Sequence, residues 1–285
     1  MDKLLLINKD INWTSRDVCN KIQHLFHTRK VGHSGTLDPF ASGLLLVTIN
    51  KACKIIPYLD NLKKTYIGEI KLGQETDTLD LTGKIIKEKE VPELNKKDIE
   101  EVFNNYFLGE IEQIPPIFSA LHYEGQRLYD LARNGISNIE IKPRKITIYS
   151  LKLISFQMDR IKFECVCSTG TYIRSLARDI AYKLNTFGHL ISLKRIKIGD
   201  FDVSKSKRIE EINENDGLSV KEALNHLKSI QLENETDVKK IKNGVDFVFK
   251  GVLEDVILLL DLSANPIAIY KRDKDDIFKC ARGLF

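Results

Sequence analysis

Residues 65–72, TYIGEIKL, alternate side chains as a strand with one buried and one wet face, and this pattern constrains the fold more than any other segment. Two runs earlier in the chain, LLLI at 4–7 and LLLVTI at 44–49, fit further strands, the first of them buried. Further strands are expected over 146–155 and 160–168. Between the strands the period changes. Thr14 or Ser15 can cap a helix carrying Val18, Ile22, Leu25 and Phe26, and residues 96–107 suit a second amphipathic helix. The clearest helix spans 172–184, with Ile173, Leu176, Ala177, Ile180, Ala181 and Leu184 at helical spacing. Polar residues loosen the pattern over 204–217, a short helix is expected near 220–227, and from about residue 239 short strands (DVILLLDL, PIAIYKR) suggest a small β module. Strands and helices thus alternate along the chain without internal repeats.

A chain of 285 residues has room for one large domain, or one plus a small appendage. With 44 basic and 40 acidic residues the net charge is only +4, so nucleic-acid binding has to use local patches. The amino terminus, MDKLLLINKD, is too short in apolar residues for a signal peptide, and no later run approaches a membrane span; a soluble, cytoplasmic protein without a membrane partner is expected. Cys19, Cys53, Cys165, Cys167 and Cys280 are scattered, with no Cys-x-x-Cys pair, which argues against a disulfide framework or a structural zinc site. Walker, dinucleotide and HExxH motifs do not occur. The expected chemistry runs on side chains, with no cofactor and no metal.

Two segments carry that chemistry. In KVGHSGTLDPFASG (30–43) a single carboxylate, Asp38, lies among glycines and small hydroxyl residues, and Pro39 pushes it out of the helical region. Gly32, Gly35 and Gly43 permit positive φ and close approach of a ligand. Asp38 is either a presented catalytic acid or an aspartate stabilising its own turn. In CSTGTYIRSLARDI (167–180), Thr171 is a good N-cap, and Arg174 lies in the first turn, off the apolar stripe. A guanidinium beside a helix N-terminus makes a site for an anion, such as a phosphate or Asp38, and the plainer alternative is an ordinary surface salt bridge. Pairing with a guanidinium favours the carboxylate form that a nucleophile needs.

Four ordered stretches, GHSGTLDPFASGLL, KKTYIGEIKLGQETDTLDLTG, GEIEQIPPIFSALHYEGQRLYDLARNG and CSTGTYIRSLARDI with LISLKR, span nearly all of residues 1–200. Together they resemble the bacterial TruB family of tRNA pseudouridine synthases, which isomerise the T-loop uridine at tRNA position 55. The resemblance implies an α+β pseudouridine synthase fold, with a mixed, largely antiparallel central sheet flanked by helices. It also implies a catalytic domain over 1–230, an RNA-gripping thumb insertion at about 123–142, and a β-rich, PUA-like RNA-binding module over 231–285. Asp38 matches the catalytic aspartate, Tyr66 the tyrosine that packs on the target base and is placed to take the C5 proton, and Arg174 the arginine paired with the aspartate. Tyr172 matches a pocket tyrosine, Leu193 the apolar residue lining the uracil site, and His33 the histidine that holds the rearranged T loop.

The partner implied is the tRNA T-arm, bound by a monomer. Contacts to the RNA backbone are expected from Lys9, Arg144, Lys145, Lys194 and Arg195, with Lys142 and Lys197 beside them. The chain departs from the family pattern at Asp10 (usually proline), Ser34 (threonine), His122 (lysine) and Ile141 (arginine). GQETDTLDLTG holds Glu75, Asp77 and Asp80 without the spacing of a calcium loop, and fits a turn tied by side-chain to backbone bonds better than a metal site. Cys165 and Cys167 share a strand face and fit core packing, and Trp13 fits a structural anchor. Two rival functions are a tRNA-folding chaperone using the same surface and a glycosidic hydrolase working from Asp38. The hydrolase would need a second, paired acid, which is not evident.

Overall fold

The computed structural model describes residues 2–119, 121–123, 125–128, 131, 139 and 141–285, so most of the expected thumb insertion at 123–142 lies outside the described residues. At its start, His122–Tyr123 and Gln126–Arg127 pair as two short antiparallel strands.

A mixed sheet of ten strands forms the body. Its main path runs Leu218–Ser219, Lys3–Lys9, Ser42–Ile49, Gly188–Ile198, Lys64–Leu72, Arg160–Cys167, Arg144–Gln157 and Gly109–Gln113. Val31–Ser34 pairs on Ser42–Ile49, and Phe201–Asp202 on Gly188–Ile198. Every pairing is antiparallel except that of Gly188–Ile198 with Ser42–Ile49, where Lys194 meets Ser42 and Arg195 meets Gly43. The chain passes that junction because Gly43 has φ +103°, and a Cβ there would lie 2.2 Å from the Arg195 carbonyl oxygen.

The burial of each strand follows its sequence pattern. Along Lys64–Leu72, alternate residues are buried and half-buried. On the buried face, Tyr66, Ile70 and Leu72 join Ile161, Phe163, Cys165 and Cys167 in a core closed by the helices Lys96–Tyr106 and Ile173–Lys183. The continuously apolar strands are covered twice. Leu5, Ile7, Leu45 and Val47 pack under the helix Ser15–Leu25, and Leu4, Leu44 and Leu46 pack on the other side against Ile55, Leu59 and Leu224. Trp13 is a half-buried part of the first of these clusters.

Thr14 is the N-cap of Ser15–Leu25, in a capping box with Asp17. For Ile173–Lys183 the expected N-cap, Thr171, is displaced by one residue. Tyr172 takes the position without a side-chain bond, and the Gln113 amide clamps it instead. Gln113 accepts from the Tyr172 N–H at 2.8 Å and donates to the Tyr172 carbonyl at 3.1 Å.

Gly188–Ile198, to which the sequence pattern assigned no element, is a central strand of the sheet. The carboxy-terminal residues build a separate five-stranded sheet in the order Lys228–Gln231, Val256–Leu260, Pro266–Lys274, Ile277–Gly283 and Phe247–Val248. Helix Glu235–Lys242 packs on it through Val238 and Ile241. Leu258, Leu260 and Ile269 of this sheet also share a core with Leu4, Leu44 and Leu46.

Candidate active site

Asp38 and Arg174 are 136 residues apart in sequence and meet side by side. Arg174 Nη2 donates to Asp38 Oδ1 at 3.0 Å, and Nε lies 2.9 Å from Oδ2 as an ionic contact off hydrogen-bond alignment. This fork-on-carboxylate geometry is one a lysine cannot reproduce. The carboxylate is therefore committed to the arginine and not to its own turn. The turn is held by other groups: the Ser15 hydroxyl accepts from Leu37 N at 2.9 Å, and Asn12 N donates to Pro39 O at 2.7 Å. Asp38 keeps 35% of its side chain exposed while Arg174 keeps only 5%, so the acid faces the opening and the base lies behind it.

Arg174 is fixed from three further directions. Nη1 donates to Thr78 O and Nη2 to Phe118 O, each at 2.9 Å, and Nη1 lies 3.7 Å from Asp80 Oδ2. Asp80 is itself buried, and its Oδ1 accepts from the Thr78 hydroxyl, the Thr82 N–H and the Thr82 hydroxyl at 2.8, 2.9 and 2.6 Å. GQETDTLDLTG is thus the side-chain-tied turn its composition predicts. Asp77 accepts from Lys84 N at 2.8 Å, and Glu75 is engaged by Lys87 and Tyr182. The turn has a second use that the sequence did not reveal, which is to seat Arg174.

The pair opens on a cavity of about 260 Å³ lined by Asp38, Tyr66, Tyr172, Arg174 and Leu193, together with Lys64, Ser119, Thr171 and Arg195. Tyr66 stands opposite Arg195 and Leu193 opposite Gly68 across neighbouring strands, which brings a phenol, a guanidinium and an apolar side chain to one wall. Burial pushes the Tyr66 phenol up from its usual range, and the Arg195 guanidinium works against that shift. Tyr172 is also pushed up by burial, with Ser119 foremost among the groups opposing the shift. His33 lies one strand away, paired with Val47 and outside the cavity lining. Its Nδ1 is buried without a hydrogen bond, and burial lowers its pKa.

Two of the expected RNA contacts belong to this interior instead. Lys9, only 1% exposed, donates to the carbonyls of Asp10 and Trp13 at 2.9 and 2.7 Å, and burial brings its pKa down to about 8. Arg195, also 1% exposed, donates to Leu44 O at 2.7 Å and Gly35 O at 2.9 Å. Their donors are spent on protein carbonyls: Arg195 braces the loop that carries Asp38 through Gly35 O, and Lys9 braces the 10–13 connection, whose Asn12 N–H in turn holds Pro39 O. Gly43 likewise gives clearance to the Arg195 backbone, not to an incoming ligand. Arg144, Lys145, Lys194, Lys142 and Lys197 are exposed, with Lys145 2.9 Å from Glu110 and Lys197 3.5 Å from Asp202.

Lys64 was not singled out in the sequence, yet it is buried in the cavity wall, donates to Asp60 O and has its pKa lowered to about 8 by burial. The signal was present: strand alternation places Lys64 on the same face as Tyr66, and Arg195 on the same face as Leu193. Among the described residues, no group of three His, Cys, Asp or Glu is placed to hold a metal ion.

Residues 23–173 match the model for the amino-terminal domain of TruB family pseudouridylate synthases. The chain belongs to the TruB family. It is 42% identical to a protein of Clostridium kluyveri named tRNA pseudouridine synthase B, over 99% of both chains. It is 43% identical to a protein of the same name from Francisella philomiragia, over 96% of this chain and 92% of that one. The fold is similar to that in a solved Cbf5–Nop10–Gar1 complex, with TM-score 0.75 at 20% identity, covering 99% of this chain and 85% of the other. A solved H/ACA RNP bound to a substrate RNA containing 2′-deoxyuridine gives TM-score 0.74 at 19% identity, over 99% of this chain and 85% of that one. The TruB chain is thus a pseudouridine synthase with a mixed α+β body and a second, carboxy-terminal β sheet.

Proposed function

We propose that this enzyme converts the uridine at position 55 of the tRNA T loop to pseudouridine, as a cytoplasmic monomer. The observation that carries the proposal is the side-by-side Asp38–Arg174 pair opening on a cavity walled by Tyr66 and Leu193. Near-full-length identity to proteins named tRNA pseudouridine synthase B supports tRNA as the substrate. No helix among the described residues is long and apolar enough to cross a membrane.

In the reaction the N1–C1′ bond breaks, the base turns, a C5–C1′ bond forms, the C5 proton leaves and N1 gains one. No oxidation state changes and nothing is consumed, so the isomerisation needs no redox cofactor. The target nucleotide is flipped into the cavity, at a cost of a few kcal/mol offset by stacking and backbone contacts. Asp38, held in place by Arg174, drives release of uracil from C1′. Tyr66 packs on the base and takes the C5 proton. Its phenol must first ionise, which burial opposes and Arg195 favours. Leu193 and Tyr172 complete the walls, and His33 holds the T loop once the base has left it. Exposed Arg144, Lys145 and Lys194 contact phosphates, while the thumb at 123–142 and a PUA-like module over 231–285 extend the grip along the RNA.

Incubation of the purified protein with unmodified tRNA, without metal or nucleotide, and mapping of the product test this reading. One T-loop uridine is expected to be converted, with Asp38→Asn binding tRNA but leaving it unmodified. No pseudouridine from the wild type sinks the proposed function. Full activity in Asp38→Asn sinks the role of Asp38 while leaving the isomerase in place; tRNA binding and folding without conversion by the wild type is the result that favours the chaperone.

A further inference from the structure

Ser119 is 5% exposed and lines the cavity beside Asp38, Tyr66 and Tyr172. Its hydroxyl is buried, yet makes no hydrogen bond within the described residues. The Tyr172 phenol is its nearest candidate partner, and Ser119 opposes the upward push on that phenol as a hydrogen-bonding neighbour would, but the two oxygens do not meet in full hydrogen-bond geometry. A buried hydroxyl on the cavity lining that is not committed to a protein group is free to bond whatever enters the cavity.

The backbone around Ser119 is set firmly. Pro115 and Pro116 precede it, Ser119 N donates to Ile117 O at 2.9 Å, and the neighbouring Phe118 carbonyl holds Arg174 Nη2. The hydroxyl is therefore carried by the same segment that positions the catalytic pair. Thr171 Oγ1, in the wall contributed by residues 168–174, is also buried without a hydrogen bond.

We infer that Ser119 Oγ is a nucleotide-binding group, which hydrogen-bonds an oxygen of the target nucleotide, either the ribose 2′-hydroxyl or a uracil carbonyl, and so seats it against Asp38. The inference rests on the proposed isomerisation of uridine. A neutral hydroxyl suits a neutral oxygen because it can rotate to donate or accept, and the formed bond costs the free protein no existing contact.

Ser119→Ala separates this role from a structural one. Deleting a hydroxyl without a protein partner is expected to leave the melting temperature unchanged or raised, while single-turnover conversion of tRNA slows by roughly 3- to 30-fold. Conversion within twofold of wild type overturns the inference, and so does a loss of conversion that only tracks a lowered melting temperature. Equilibrium binding of T-arm RNAs carrying uridine, 2′-deoxyuridine, 2-thiouridine or 4-thiouridine then locates the oxygen. The penalty of Ser119→Ala disappears with the RNA that lacks the contacted group; a penalty equal on all of them overturns the contact. Wild-type protein that forms no pseudouridine refutes the proposed function instead, a result distinct from an active wild type matched by Ser119→Ala.

Discussion

Replacing Arg174 by lysine keeps the positive charge and removes the fork. In the structure the guanidinium serves Asp38 through Nη2 and Nε, Phe118 O through Nη2, and Thr78 O through Nη1, with Asp80 3.7 Å beyond. One ammonium cannot reach these groups together, so Arg174→Lys forfeits at least two contacts. Hydrogen bonds involving a charged group are worth about 1.5–3 kcal/mol each. Asp38 is about a third exposed, which discounts its share through solvent screening, and a loss of about 2–4 kcal/mol remains. If that stabilisation acts in the transition state, conversion slows by about 30- to 1,000-fold. The assay is single-turnover tritium release from tRNA labelled at uridine C5, read beside the equilibrium affinity for the same tRNA and the melting temperature. Affinity is expected to change little. A variant that converts within a few fold of wild type would refute the claim that fork geometry orients Asp38, and equal losses in affinity and rate would reassign Arg174 to holding phosphate.

Two other outcomes follow from groups around the pair. Asp80→Asn keeps the acceptor that ties Thr78 and Thr82 but removes the charge facing Arg174, so conversion should slow by about tenfold with unchanged tRNA affinity; a rate equal to wild type would show that Thr78 O and Phe118 O suffice. Stability should also depend on pH through the buried lysines. Unfolded lysine holds its proton to a pKa of 10.5, whereas folded Lys9 and Lys64 release theirs near 8, so between those values the unfolded chain binds more protons and stability rises with pH. The effect is on the order of 3 kcal/mol per lysine over the whole range, and is clearest from pH 8 to 9, because Cys19, pushed up to about 11, works in the opposite direction above its unfolded value of 9.0. Urea denaturation should show Lys64→Met to be more stable than wild type at pH 7, with a shallower rise toward pH 9. An unchanged slope would mean that the Lys64 amine is not desolvated.

The strands and helices were legible because each has a local period. Alternation at 65–72 marked a half-buried strand, the apolar runs LLLI and LLLVTI marked two more, and the apolar stripe of 173–184 marked the helix that covers Tyr66; that both runs are covered on two sides emerged only from the packing. Gly188–Ile198 escaped because its basic residues break the apolar pattern, and one of them, Arg195, is buried by its neighbours and not by its own chemistry. The cap of Ile173–Lys183 escaped because Gln113, 59 residues earlier, supplies it.

Sequence alone determined which acid and which base are present and in what local frame: Asp38 ahead of Pro39, Arg174 in the first turn of its helix, and Tyr66 on a half-buried strand. Tertiary structure alone decided which cations face water. Lys9, Lys64 and Arg195 look like Lys145 and Lys194 in one dimension. The sheet register carries the first three into the wall behind the Asp38 loop and leaves the other two on the surface. Alternation reports only which side chains share a strand face; which neighbours cover that face, and so whether a cation on it is buried, is a property of long-range packing.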